Sequence, residues 1–141
     1  MAFKPNRLDF DAGVKLLQDA AAKAGLNARK IVTSKDAAAR KAMGLLAVTN
    51  VPDGFTKWML PVFLNCPSQQ YFSYAAPGVR VPRHSHDDGD ALRVFLHGSI
   101  TYNKVELEAG DWMFIPKGEP YDFQVGPRGA GMFYCYCCCC A

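Results

Sequence analysis

Residues 77–98 read PGVRVPRHSHDDGDALRVFLHG. A proline–glycine turn leads into a short run ending in His84, Ser85 and His86, and a second run rich in β-branched and aromatic residues closes at Gly98. Residues two apart on a strand point to the same face. An extended His84-x-His86 pair therefore presents two imidazoles to one side of a sheet. With a carboxylate a few residues later, such a pair makes the two-histidine, one-carboxylate set that favours non-haem iron and also serves manganese, nickel or zinc. Asp87, Asp88 and Asp90 are the carboxylates in reach. Two histidines followed by acids also fit a solvated, hydrogen-bonded loop, so the pair alone does not decide.

Outward from this stretch, residues 55–136 have the grammar of strands and turns. FTKWMLPVFL, QQYFSYAA, ALRVFLHG, SITYN, KVELEAGD, WMFIP, YDFQV and GMFYCY are short aromatic and β-branched runs. Between them stand Pro77-Gly78, Asp88-Gly89, Asn103-Lys104, Ala109-Gly110, Pro116-Lys117-Gly118 and Gly126-Pro127. Many short strands at even spacing, without βαβ alternation, predict an all-β antiparallel sandwich or barrel.

Residues 1–54 are different. Val14, Leu17, Ala21 and Ala24 recur at helical spacing from about Asp11, and Gly25 is a fitting stop. A second helix is expected to open at Ser34 as N-cap and to run through KDAAARKAMGLLAV, with Met43, Leu45 and Leu46 as anchors. These helices are expected to pack on the barrel.

Two spaced patterns give the β region a family likeness. Gly, five residues, His-x-His, three or four residues, Glu, six residues, Gly is met by Gly78, His84, His86 and Gly98. Gly, five residues, Pro-x-Gly, two residues, His, three residues, Asn is met by Gly110, Pro116 and Gly118. In these residues the chain resembles the cupins, small single-domain monocupins in particular, over about residues 78–125. The likeness implies a double-stranded β-helix, or jelly-roll, barrel and a divalent transition metal (Fe, Mn, Ni or Zn) on His84 and His86.

The departures from the patterns matter as well. Counting back from Gly98, the Glu position falls on Ala91. Counting forward from His86, it falls on Asp90, which implies Asp90 as third ligand and one extra residue near Gly89. Tyr121 stands at the second motif's His position and Val125 at its Asn position. Tyr121 then either serves catalysis as an acid, base or hydrogen-bond donor, or simply lines the barrel. His97 shares strand parity with Arg93 and Phe95, so it either faces the same interior or caps the rim. Arg93, unusual among apolar neighbours, favours an anionic substrate if it points inward and is a surface charge if it points outward. Trp112, Met113, Phe114 and Tyr102 supply apolar wall.

Cupins host many functions. The likeness implies a metal-dependent enzyme on a small organic, anionic substrate, of lyase, isomerase, epimerase or dioxygenase type. The alternative is a non-catalytic metal- or ligand-binding module such as a sensor.

Composition bounds the rest. Half of the 141 residues are hydrophobic and 21% charged, an ordinary globular balance. Residues 1–60 hold ten Lys or Arg against five Asp, and residues 61–141 six against eight acids. The basic residues are spread over Ala-rich helical stretches without a dense stripe, which excludes a nucleic-acid interface. No apolar run approaches the roughly 18 residues of a membrane span, and no secretory leader is evident, so the expectation is a cytoplasmic homodimer that binds small molecules. Five of six cysteines crowd into the last seven residues. A terminal cluster closes no useful loop, so residues 137–141 read as a tail: a metal-binding or modified terminus, or a peptide processed from a carrier domain.

Overall fold

The computed structural model describes residues 8–49, 51–53, 56–64, 68–87 and 89–136. Asp88 and the tail cysteines Cys137 to Cys140, which the sequence reading singles out, lie outside them. The chain divides into a helical unit, residues 1–27 and 36–63, and a β unit, residues 28–35 and 64–141.

In the helical unit, α1 spans Phe10–Ala24 and α2 spans Ala37–Leu45. Asp9 caps α1 by accepting from the Ala12 N–H at 2.8 Å. Gly25 ends it in the left-handed conformation, φ 71°, its N–H returning to the last turn. Leu17 is buried as expected, but Gly13 and Ala20, in place of Val14 and Ala21, complete the buried face of α1. Leu17, Ala20 and Leu46 form a core against which Met59 and Phe63 pack.

Two expectations are corrected here. FTKWMLPVFL is no barrel strand: its described part makes one bridge, Trp58 to Ala47. Pro61 has no N–H for a ladder, and Met59 and Phe63 are used on the helices. Ser34 is not the cap of α2, which opens at Asp36. Ser34 instead donates to Asp111 Oδ1 at 2.7 Å and accepts from the Trp112 N–H at 3.0 Å.

That bond places Ser34 in the β unit, whose first strand, β1 (Val32–Thr33), comes from between the two helices. The others are β2 (Gln69–Ala75), β3 (Arg80–His84), β4 (Ala91–Tyr102), β5 (Val105–Glu108), β6 (Trp112–Ile115) and β7 (Tyr121–Tyr136). All pairings are antiparallel, in the order β1-β6-β4-β7-β2, with β3 on β7 and β5 on β4. The antiparallel β architecture preceded by helices is as expected. Runs read as separate strands prove continuous: ALRVFLHG and SITYN make β4, and YDFQV and GMFYCY make β7.

Asn103 and Lys104, φ 47° and 66°, form the two-residue turn between β4 and β5, the geometry that matches strand twist. Gly98 carries φ 68°, and a Cβ there would overlap the Gly129 carbonyl oxygen on β7. This crossing joins the two halves of the β4–β7 ladder, Ala91↔Tyr136 to Phe95↔Met132 and Ile100↔Val125 to Thr101↔Gln124. The inward side chains, among them Phe95, Ile100, Leu107, Met113, Ile115, Phe123 and Val125, form the core. At the sheet edge, β2 contains no charged residue and exposes Phe72 and Tyr74.

Candidate functional site

Alternation along β4 buries Ala91, Arg93 and Phe95 on one face, so Arg93 points inward and is 6% exposed. It shares a row across the sheet with Met113, Tyr134 and Tyr71. On β7 the same face carries Tyr121 and Phe123 from its first half and Met132, Tyr134 and Tyr136 from its second.

Arg93 is held by neutral groups. Nη2 donates to the Tyr121 hydroxyl at 3.1 Å and the Tyr136 hydroxyl at 3.3 Å, and Nη1 to Met132 Sδ at 3.4 Å. Its guanidinium carbon lies 4.5 Å from the Tyr134 ring centroid and 5.4 Å from that of Phe123, within cation–π range. Nε has no hydrogen-bond partner among the described residues, and no carboxylate there pairs with this cation.

The histidines approach from the other side. His84 ends β3 opposite Tyr121. Its Nδ1 donates to the Pro82 carbonyl at 2.8 Å, because a carbonyl can only accept; Nε2 then carries the lone pair. His86 lies beyond the strand, fixed by its own carbonyl, which accepts from Gly118 N–H at 2.9 Å. The Pro116-Lys117-Gly118 turn, with Gly118 at φ 78°, thus sets where His86 stands. His86 Nε2 is 3.2 Å from the Tyr121 hydroxyl and 3.1 Å from that of Tyr136. The two imidazole centroids are 5.1 Å apart. Arg93, Tyr121, His86 and Tyr136 thus form one polar cluster around the two hydroxyls.

Of the residues singled out in the sequence, the structure brings together His84, His86, Arg93 and Tyr121. It does not bring in Asp90, whose carboxylate accepts from the Lys117 N–H at 2.8 Å and so holds the turn that holds His86. His97 is also elsewhere. A register shift between Phe95 and His97 inserts a residue and breaks the alternation, leaving His97 exposed on the outer face, its ring 5.6 Å from that of Tyr74. Tyr136 and Tyr134 were missed. The signal was present in the alternation of Met132, Tyr134 and Tyr136, but the surrounding cysteines drew the reading to the tail.

A divalent transition metal does not fit this donor set. Among the described residues no group of three His, Cys, Asp or Glu is placed to hold one, whereas such sites ordinarily use at least three protein ligands. His86 Nε2 lies between two phenols that already bond a guanidinium.

Burial pushes the Tyr136 hydroxyl above the ordinary phenol range, the nearby Arg93 cation lowering it and the neighbouring phenols Tyr121 and Tyr134 raising it further. Burial wins, because Arg93 cannot compensate for the lost hydration of a phenolate. A group whose folded pKa is raised adds stability that is intact below its unfolded value, about 10, and lost as pH climbs above it. The protein should hold its melting temperature from pH 8 to 9.5. It should then lose up to about 1.4 kcal/mol per pH unit from this group. Thermal scans to pH 11 check this, and Tyr136→Phe should flatten the alkaline decline.

No protein-family model matches the chain, and no curated protein does. Solved structures do. A protein of unknown function with a cupin-like fold from Ralstonia eutropha is 18% identical, with a TM-score of 0.46 over 50% of this chain and 47% of that one. A protein with a double-stranded β-helix domain from Klebsiella pneumoniae is 22% identical, TM-score 0.46, covering 54% and 67%. The polyketide cyclase RemF of Streptomyces resistomycificus is 26% identical, TM-score 0.43, covering 50% and 54%. The match thus spans about half of the Ralstonia protein's length. No helix among the described residues is long and apolar enough to cross a membrane.

Proposed function

We propose that this chain, a small barrel of the cupin type, binds an organic anion, with Arg93 as the anchor and Tyr121, Tyr136 and His86 as the groups that orient its oxygens. The observation that supports the reading is the buried guanidinium with no carboxylate partner among the described residues. A buried charge is costly unless it is paired, and phenol oxygens and a thioether supply hydrogen bonds but no counter-charge. A carboxylate fits: it supplies the counter-charge and can accept from Nε–H, the one guanidinium nitrogen without a partner among the described residues. His84, Ser85 and His86 are half-buried and mark the side from which a ligand would arrive.

The contacts of His86 support turnover as a second reading. With a lone pair on Nε2, His86 can accept from one phenol. That phenol's oxygen can take a proton from the ligand as its own proton moves to Nε2, leaving the ligand one proton poorer and the imidazole cationic, which is acid–base chemistry of the isomerase or lyase kind without a metal.

The test is a thermal-shift series of small carboxylates against their amides at constant ionic strength. A carboxylate at a hundred times its Kd should add about 2.7 kcal/mol of stability, and its amide nothing. If no carboxylate raises the melting temperature beyond a chloride control, the reading is wrong.

A further inference from the structure

We infer that Arg93 takes the place of the metal ion in this barrel: its guanidinium is the site's fixed cation, and it keeps divalent metals off His84 and His86. The inference rests on Arg93 being the anion anchor proposed above, but it makes a separate claim about what the site excludes.

Three observations converge. The first is position. Arg93 Nη2 bonds the same two phenol oxygens that His86 Nε2 touches, at 3.1 and 3.3 Å on one side and 3.2 and 3.1 Å on the other. Guanidinium and imidazole are therefore separated by no more than the span of two hydrogen bonds. An ion bound to that imidazole would stand about 2.0–2.1 Å from Nε2, on the lone-pair side where the phenols lie, nearer still to the positive charge. The second is charge. The guanidinium cation repels a divalent ion, and that repulsion is weakly screened in a site where Arg93 is 6% exposed and Tyr121 fully buried. The third is the anionic ligand: Asp90 bonds the Lys117 N–H, and among the described residues no Asp or Glu completes a three-ligand group with His84 and His86.

The chemical consequence is a change in the kind of ligand recognition. A metal would coordinate a ligand oxygen by its lone pair in a fixed coordination geometry. A guanidinium offers directional N–H donors in a plane and matches a carboxylate as a fork. The site should therefore select for carboxylates over neutral chelating diols or hydroxyketones, which a metal would accept.

The experiment uses the whole chain purified without chelator or affinity metal. The protein is incubated with excess Co²⁺, desalted and measured by elemental analysis and by the visible d–d absorption of bound Co²⁺. Because the Cys-rich tail can take Co²⁺ itself, occupancy of the site is the retention lost on adding His86→Ala: less than about 0.1 Co²⁺ per chain in the wild type, and at least about ten-fold more in Arg93→Met. Arg93→Gln, a polar replacement of similar length, gives the same readout should Arg93→Met not fold. About one Co²⁺ per wild-type chain, abolished by His84→Ala, overturns the inference. So does the absence of any gain in both folded Arg93 variants, because the arginine is then not what excludes the ion. Carboxylate titration of the same preparation separates the two proposals. Metal uptake alongside an intact carboxylate response sinks this inference alone, and metal exclusion without a carboxylate response sinks only the anion-binding function.

Discussion

Gly98→Ala should lower the melting temperature by about 10 °C, a loss of roughly 3–5 kcal/mol for a chain of this size. Two effects combine at this position. An alanine at φ 68° is held in the left-handed region at a cost of order 1–3 kcal/mol. Its Cβ would also overlap the carbonyl of Gly129, and the next atoms it meets belong to the backbone of Gly129 and Ala130. No side chain can swing aside, so β7 itself would have to move where its two halves join the β4 ladder. Gly110→Ala is the matched control. Gly110 also has positive φ, 91°, but open space around it, so it should show only the conformational cost. Equal losses at the two positions, measured by calorimetry or chemical denaturation, would mean that β4 and β7 do not approach as closely as described.

Arg93→Met should do something less common: abolish anion-dependent stabilisation while leaving the unliganded protein as stable as before, or more so. Replacing a buried charge by an apolar side chain of similar volume is often neutral or stabilising by about 1–4 kcal/mol. The arginine here has no counter-charge to lose among the described residues. Its phenol partners keep His86 Nε2 within reach. A residue kept at a cost to the empty protein is kept for what it binds. The whole carboxylate response, about 2.7 kcal/mol at a hundred-fold excess over Kd, should vanish with it. Were Arg93→Met instead to destabilise the unliganded protein by more than about 2 kcal/mol, the guanidinium would be structural glue for Tyr121 and Tyr136.

What could be read from the sequence depended on how local each signal was. Short strands with Gly and Pro turns announced an antiparallel β unit because turn chemistry is local. His84, His86 and Tyr121 could be placed by motif spacing, whereas alternation put Arg93 on one face with Phe95 without saying whether that face was inward. Alternation failed four residues later at His97, because a bulge depends on the partner strand and leaves no mark in β4's own residues. Asp90 was ambiguous for a similar reason. A carboxylate near two imidazoles is as good a cap for a turn as a ligand, and only the position of Lys117 decides between them. Tyr136 shows a different failure, a legible alternation overshadowed by unusual neighbours. The helical anchor role of Met59 and Phe63 was hidden because apolar runs of ten residues carry no periodicity that separates strand from packing loop.

The pairing order also bears on how the chain is made. β2, β3 and β4 all find partners on β7, and Gln69 on β2 pairs with Tyr136 at its far end. At the usual pace of synthesis, roughly 5–20 residues per second, β2 emerges from the ribosome on the order of 10 s before its partner does. During that interval an uncharged, tyrosine-rich segment is unpaired, the kind of edge that recruits the wrong strand. Helices α1 and α2, with local contacts, can close long before. The β unit therefore folds only after its last strand has been released, and its yield in cells should depend on chaperones that hold nascent β segments more than on the stability of the finished barrel.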